Sequence, residues 1–398
     1  MPALPEYDVE AVRRDFPALA EGLAHFDGPG GTQVPTAVSD AVADTMRSAV
    51  SNRHGPFASS RRADAIVDAA RLAVADLVGG DPAGVVLGQS MTANTYVMAN
   101  ALARTWRPGD EVVLSRLDHD ADVRPWVQAA ARAGAVVRWA EVDVETTELP
   151  AEQYDGLLTE RTRLVALTAA SNATGTRPDV RAIADRAHAV GAVVHVDGVH
   201  ATPHLPTDVR ELGADLYATS AYKWYGPHIG CTVGDPALLA SLRPDKLRPS
   251  SDAVPDRFEH GTANFACYAG VTAAVDWIAS HGTGATRRER VLDAMRTFAA
   301  HEDAVFARLL DGLAARPDVR LVGSPALRTP TVAFTVDGRS PLQVSADLGN
   351  AGVAVWAGNY YAVELMTALG LEGSGGAVRA GVVCYTTTAE VDRLLGAL

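Results

Sequence analysis

The sequence predicts an α/β protein: a mostly parallel sheet covered by helices on both faces, followed by a smaller α+β domain. Three observations predict it. Short apolar runs of strand length alternate with helical patterns through the middle of the chain. The character changes after about residue 280, where a long arginine-rich helical pattern gives way to further strands. And 398 residues suffice for one large core and a second, smaller one.

In chain order, Val85-Val86-Leu87 reads as a strand and precedes a helix from about Thr92 to Arg104. Glu111 to Ser115 precedes a helix around Val123 to Ala133, and Val136 to Val142 is a further strand. Arg163 to Thr168 is followed by a helix from about Asp179 to Val190, then by the strands Val193 to Asp197 and Leu216 to Ser220. In such sheets ligands sit at the carboxyl ends of the strands. The later part reads as a helix from about Arg287 to Ala315, then strands at Val319 to Val322, Thr331 to Val336, Val353 to Trp356 and Val378 to Tyr385. A helix near Leu342 to Leu348 falls between them, and another closes the chain. The expected division is a large domain over 20–285 and a small domain made of 286–398 together with 1–19, which includes a helix near Val9 to Phe16.

Composition narrows the function. Apolar residues make up 47% and charged residues 21%, as in a globular protein rather than a disordered or membrane-spanning one. A net charge of −13 repels phosphate backbones, so nucleic acid is not an expected partner. No stretch reads as a transmembrane span, and Met1 to Asp8 lacks the basic-then-apolar pattern of a leader. Cys231, Cys267 and Cys384 lie far apart, without metal-ligand or redox spacing, and fit a reducing cytoplasm.

Lysine and arginine total 35, yet lysine occurs only at Lys223 and Lys246. A lysine kept in so arginine-rich a chain suggests amine chemistry, since an amine loses its proton and attacks a carbonyl while guanidinium stays charged. Lys246 lies in a polar stretch and reads as a surface residue. Lys223 follows a strand and precedes Gly226-Pro227, which places it at the rim of the sheet. Asp197 ends a buried strand one β-unit earlier, where an unpaired carboxylate is costly. A protonated pyridine nitrogen, as in pyridoxal 5′-phosphate (PLP), answers that need, and a carboxylate there makes the ring a strong electron sink. Each residue alone also suits a bland role, Lys223 as a snorkelling surface residue and Asp197 as a turn former before Gly198. The pair is the more specific signal.

His195-Val196-Asp197-Gly198-Val199-His200 and Ser220-Ala221-Tyr222-Lys223-Trp224-Tyr225-Gly226-Pro227 resemble the class V aminotransferase family, and within it the cysteine desulfurase and selenocysteine lyase branch. The resemblance runs from about Phe26 to the C-terminus. It implies the PLP-dependent transferase fold type I, a Schiff base on Lys223, and a homodimer with active sites between subunits. It also implies that His119 stacks on the cofactor ring and shares in proton transfer, and that Asn172 donates to the ring oxygen, with His200 beside them. Ser90, Met91, Ser220 and Tyr222 would hold the phosphate, and Thr262 would reach the phosphate of the partner subunit. Arg379 would read the substrate carboxylate, with Asn359 and Tyr361 nearby. Ser90 and Asn172 also suit a plain helix cap and an Asx-turn. Trp224, His200, Tyr360 and Tyr361 are further candidates for shaping the pocket. No metal site is expected.

The chain departs from the pattern in two places. Asp120 and Asp122 stand where the family has His and Asn. The loop Ala357 to Tyr361, where a desulfurase carries its persulfide-forming cysteine, has none; Tyr361 falls at that place. Cys231 and Cys384 read as strand residues of the core, and Cys267 is a remote candidate. The expected activity is therefore a desulfurase-like C–S (β-) lyase acting on an amino acid without a persulfide. Transamination is the runner-up, epimerisation a third exit, and a non-catalytic PLP-binding partner or sensor the alternative of another class.

Overall fold

The computed structural model describes residues 7–398; Met1 to Glu6, and with them most of the segment read as lacking a leader, lie outside the described residues. A seven-stranded sheet organises the large part. Its spatial order is Val85–Gly88, Gly230–Gly234, Leu216–Ser220, Val193–Asp197, Thr162–Thr168, Glu111–Ser115, Val136–Ala140. All neighbours are parallel except Gly230–Gly234, which runs antiparallel to both strands beside it.

The strands alternate as a period of two demands. Val165, Leu167, Val194 and Val196 point into one core, with the helices Ala58–Val78 and Phe265–Ser280. Leu164, Ala166, Val112 and Leu114 point into the other, with Met91–Ala103 and Arg124–Ala133. With both faces covered, the central strands are mostly apolar, which is why they stand out in the sequence.

A four-stranded antiparallel sheet in the order Trp356–Gly358, Ala377–Gly381, Thr331–Val336, Val319–Val322 forms the smaller part. The expected division at 19/20 and 285/286 differs from the packing. Val12, Phe16 and Leu19 pack with the large core, because Phe16 meets Trp277 and Tyr385 at ring distances of 5.1 and 4.8 Å. Ala24 and Phe26 join the small core instead, since Ala24–His25 pairs in parallel with Val353–Ala354. The helix Arg287–Ala314 serves both: Val291 to Phe298 face the large core, and Val305 to Leu313 the small one.

Three strands are shorter or more broken than expected. The one expected to reach Tyr385 ends at Gly381, where the Thr386 hydroxyl accepts from the Val383 amide at 3.0 Å and closes a turn. Cys384 is therefore a buried turn residue rather than a strand residue. The strand near Val353 splits in two around Val355. Val136–Ala140 stops two residues early.

Among the described residues no helix is long and apolar enough to cross a membrane, and no cluster of His, Cys, Asp and Glu is arranged to hold a metal ion.

Candidate active site

Five strand ends deliver side chains to one place. Gly88 leads to Ser90, Ser115 to His119, Thr168 to Asn172, and Ser220 to Lys223; Asp197 ends its own strand. A small cavity of about 80 Å³ is lined by Ser90, Met91, His119, Asn172, Asp197 and His200, and on its other side by Ser220, Tyr222 and Lys223. It shares Thr92, His119, Asn172, Tyr222 and Lys223 with a larger cavity of about 700 Å³, which Arg379 of the four-stranded sheet and Asn359, Tyr360 and Tyr361 after its edge strand complete. Every site residue expected from the sequence lines one of these two cavities, apart from Thr262 and Trp224. Thr262 lines a separate cavity of about 570 Å³, beside Gln89 and His228.

Trp224, expected to shape the pocket, does not. Its indole is fully buried in the core and donates to the Thr219 hydroxyl at 3.0 Å. Immediately after a catalytic-looking lysine the chain turns inward, and Tyr225 takes a left-handed φ of 69°. Thr32 fixes that turn: its amide donates to the Tyr222 carbonyl and its hydroxyl accepts from the Tyr225 amide.

Lys223 is buried and donates to the Pro29 carbonyl. Desolvation lowers its amine to about 7, with Arg379 adding to the effect and Asp197 opposing it. An amine so placed is free of its proton in a substantial fraction of molecules near neutrality, the form that attacks a carbonyl or accepts a proton. Asp197 accepts from the Val199 amide at 2.8 Å. Burial pushes its carboxyl up to about 7, helped by the nearby Asp122. A cation facing it would restore the carboxylate.

Burial, then the positive charges of Lys223 and Arg379, lowers His119 to about 3, so its ring is neutral. Its Nδ1 accepts from the Ala121 amide at 3.0 Å, which leaves the proton on Nε2. The ring stacks on Tyr361 at 5.4 Å. Asn172 donates through Nδ2 to the Tyr360 carbonyl at 2.9 Å, while its Oδ1 has no partner. His200 meets Thr331 at 3.0 Å through Nε2, and its Nδ1 has none. Ser90 caps the helix Met91–Ala103 by accepting from Ala93 at 3.1 Å. That helix begins at the cavity wall, where its free amides and the Thr92 hydroxyl suit an anion.

Arg379 is buried within its strand and donates to the Asn172 main-chain oxygen at 2.8 Å. Its guanidinium lies 4.4 Å over the Tyr360 ring, and burial lowers it to about 10. No carboxylate of the described residues pairs with it, and its Nε has no partner. A guanidinium buried without an acid is expensive unless an anion arrives. Asn359 lines the cavity, but its side chain is committed to Glu372 and to the Tyr361 amide.

The model of the family described as aminotransferase class-V matches residues 24–394. The chain belongs to this family. A protein of Mycobacterium tuberculosis (strain CDC 1551 / Oshkosh) described as uncharacterized is 39% identical over 395 residues, covering 98% of both chains. A probable cysteine desulfurase of Pseudomonas aeruginosa is 35% identical, over 97% of this chain and 96% of its own. The crystal structure of the Escherichia coli cysteine desulfurase CsdA, in its S-sulfonic acid form, superposes with a TM-score of 0.87 at 29% identity, over 98% of this chain and 97% of that one.

As a member of the class V aminotransferases the chain is a PLP-dependent, cysteine desulfurase-like enzyme of the fold type I class. The residues present fit that cofactor. A desolvated amine, a buried carboxyl in want of a cation, and a helix start for an anion surround one cavity with unpartnered polar atoms at Asn172 and His200. Sequence reasoning missed Pro29, Tyr96 and Trp356, which also line the larger cavity. Nothing in their local patterns marks them, since they come from three distant segments.

Proposed function

We propose that Lys223 holds PLP covalently, that Asp197 faces its ring nitrogen, and that Arg379 receives the α-carboxylate of an amino acid. The observation that carries this reading is Arg379: a buried guanidinium without an acid, on the same cavity as the desolvated Lys223 amine. Ser90, Met91, Ser220 and Tyr222 would hold the phosphate, neutral His119, its proton on Nε2, would stack on the ring, and Asn172 and His200 would serve the ring oxygen.

When bound, the cofactor supplies an electron sink for the carbanion formed at Cα. The protein's own part begins at Arg379, which fixes the carboxylate and so orients the Cα–H bond toward Lys223. The Lys223 amine takes the α-proton. The bond from Cβ to its leaving group then breaks with its electron pair, and the released enamine is hydrolysed to a 2-oxo acid and ammonia. This C–S lyase outcome needs no protein thiol, which agrees with a loop over Ala357 to Tyr361 that contains none.

Two copies share the sites in this reading. Thr262 sits in the separate cavity beside Gln89, next to the Ser90 end of the cofactor cavity, as a residue serving a second subunit would. The three free cysteines agree with a reducing cytoplasm.

Borohydride reduction of the reconstituted protein, followed by peptide mass mapping, tests the assignment. The pyridoxyl mass belongs on the Lys223 peptide; a label elsewhere, or none, refutes it. Incubation with amino acids then separates the outcomes: pyruvate with ammonia for the lyase, an oxo acid with pyridoxamine phosphate for the transaminase.

A further inference from the structure

The larger cavity holds about 700 Å³, far more than the side chain of free cysteine needs. Part of its wall is aromatic. Tyr96, Trp356 and Tyr361 line it, and Trp356 and Tyr361 are 55% and 70% exposed in a chain that buries most of its large rings. Tyr361 is held in place despite a left-handed φ of 60°. Its carbonyl accepts from the Asp120 amide at 2.7 Å, and the ring stacks on His119. Neighbouring Tyr360, also left-handed at 55°, gives its carbonyl to Asn172 and its hydroxyl to Ala377. Strain of this kind persists only where surrounding contacts over-determine it. The loop is therefore a fixed wall that presents the Tyr361 ring to the cavity.

The arginines beside this wall are already paired with acids. Arg124 lies 3.1 Å from Asp120 and 3.8 Å from Glu364, and Arg116 holds the other Glu364 oxygen at 2.7 Å. With Lys223 taken up by the cofactor, Arg379 is then the only cation of the cavity without an acidic partner among the described residues. One α-carboxylate satisfies it. No cation remains for a second carboxylate at the far end of a substrate.

We propose that the substrate is an S-substituted cysteine whose sulfur carries an uncharged aromatic group, packed against the rings of Trp356 and Tyr361 that line the same cavity. The inference rests on the reading of Lys223 and Arg379 given above. The reaction balances without an oxidant or an acceptor thiol: the thioether and one water give the free thiol, pyruvate and ammonium. The Cβ–S bond breaks, its electron pair leaves with sulfur, and the thiolate takes up a proton. Sulfur departs with its substituent attached, so a persulfide-forming cysteine has no task.

The test is a titration of the PLP-loaded enzyme with S-benzylcysteine, S-methylcysteine, cysteine and cystathionine, reading Kd from the change in the cofactor's visible band, with pyruvate and benzyl thiol measured separately. S-benzylcysteine should bind about tenfold or more tightly than S-methylcysteine, as aromatic stacking predicts, and cystathionine should be the weakest. Trp356→Ala and Tyr361→Ala should each collapse the benzyl-over-methyl preference toward one, and Trp356→Phe should restore it. Equal binding of the benzyl and methyl compounds, or variants that weaken all four alike, overturns this inference and leaves the reading of Lys223 and Arg379 standing. If no amino acid perturbs the band, that underlying reading fails and this one with it.

Discussion

Nη1 of Arg379 donates to the main-chain oxygen of Asn172 at 2.8 Å, across the junction between the two sheets. The same Asn172 reaches back with its amide to the Tyr360 carbonyl at 2.9 Å. Asn172 thus fixes both the guanidinium and the loop beside it. The geometry leaves the rest of the guanidinium toward the cavity with no acid to neutralise it.

Arg379→Lys keeps the charge but loses the planar fork that grips a carboxylate through two bonds. We expect kcat/KM for any amino acid to fall roughly 30-fold or more, about 2 kcal/mol of binding, while the cofactor still attaches to Lys223. Steady-state kinetics alongside the absorption spectrum checks both halves. An unchanged kcat/KM would remove Arg379 from the substrate site.

Lys223 and Asp197 give the cofactor-free protein an unusual pH dependence. Burial raises Asp197 from 3.8 to about 7, so between those values the folded chain holds a proton that the unfolded chain has lost. Stability therefore falls as pH rises through that window. Burial lowers Lys223 from 10.5 to about 7, so above about 7 the unfolded chain holds the extra proton and stability rises with pH. The contribution of this pair is lowest near neutrality. Thermal unfolding of the apo protein across pH should show the dip. Lys223→Met should flatten its alkaline limb, and Asp197→Asn its acid limb. Reconstitution should also remove the alkaline limb, because an imine takes the amine out of the titration.

The cysteines set a further expectation. Cys231 and Cys384 are fully buried, and burial pushes both thiols up. Cys267 is half-buried near the start of the helix Phe265–Ser280, with its thiol also raised. None lines the cofactor cavity or the larger one beside it. A thiol reagent should modify at most Cys267 in the native protein and all three after denaturation. Incubation with cysteine should leave no persulfide on the protein by mass spectrometry. A persulfide on any of the three would restore the desulfurase mechanism.

Much of this arrangement was legible in the sequence because strand-end chemistry leaves local marks. Asp197 and Lys223 follow apolar strands that are buried on both faces, so a charged residue at either end stands out. Arg379 is conspicuous within its own strand for the same reason. Other parts left no such mark. The antiparallel course of Gly230–Gly234 depends on which neighbours it meets, not on its composition. Trp356 and Tyr96 look like ordinary members of an edge strand and a helix until the fold brings them together. Asp122 was legible only as a departure from the family pattern. The structure sets it, fully buried, 2.7 Å from His195 Nδ1 and 3.0 Å from Trp126 Nε1, behind Asp197.

Gly230 ties the antiparallel strand to the start of the helix Met91–Ala103, the proposed phosphate site. A Cβ at this position would lie 2.0 Å from the Ser90 carbonyl carbon and 2.1 Å from the Met91 nitrogen. Both are backbone atoms at the start of the helix Met91–Ala103, so the strand and the helix start approach closely only because the side chain is absent. Gly230→Ala must push that helix start away from the cavity, at a cost of about 1–3 kcal/mol as in other overpacked sites. The displaced amides would no longer converge on an anion. We expect the Kd for PLP, measured by titrating the apo protein, to rise about tenfold or more, with the far-ultraviolet spectrum unchanged. Affinity for pyridoxal, which lacks the phosphate, should change much less. Equal losses for the two compounds would place the phosphate elsewhere.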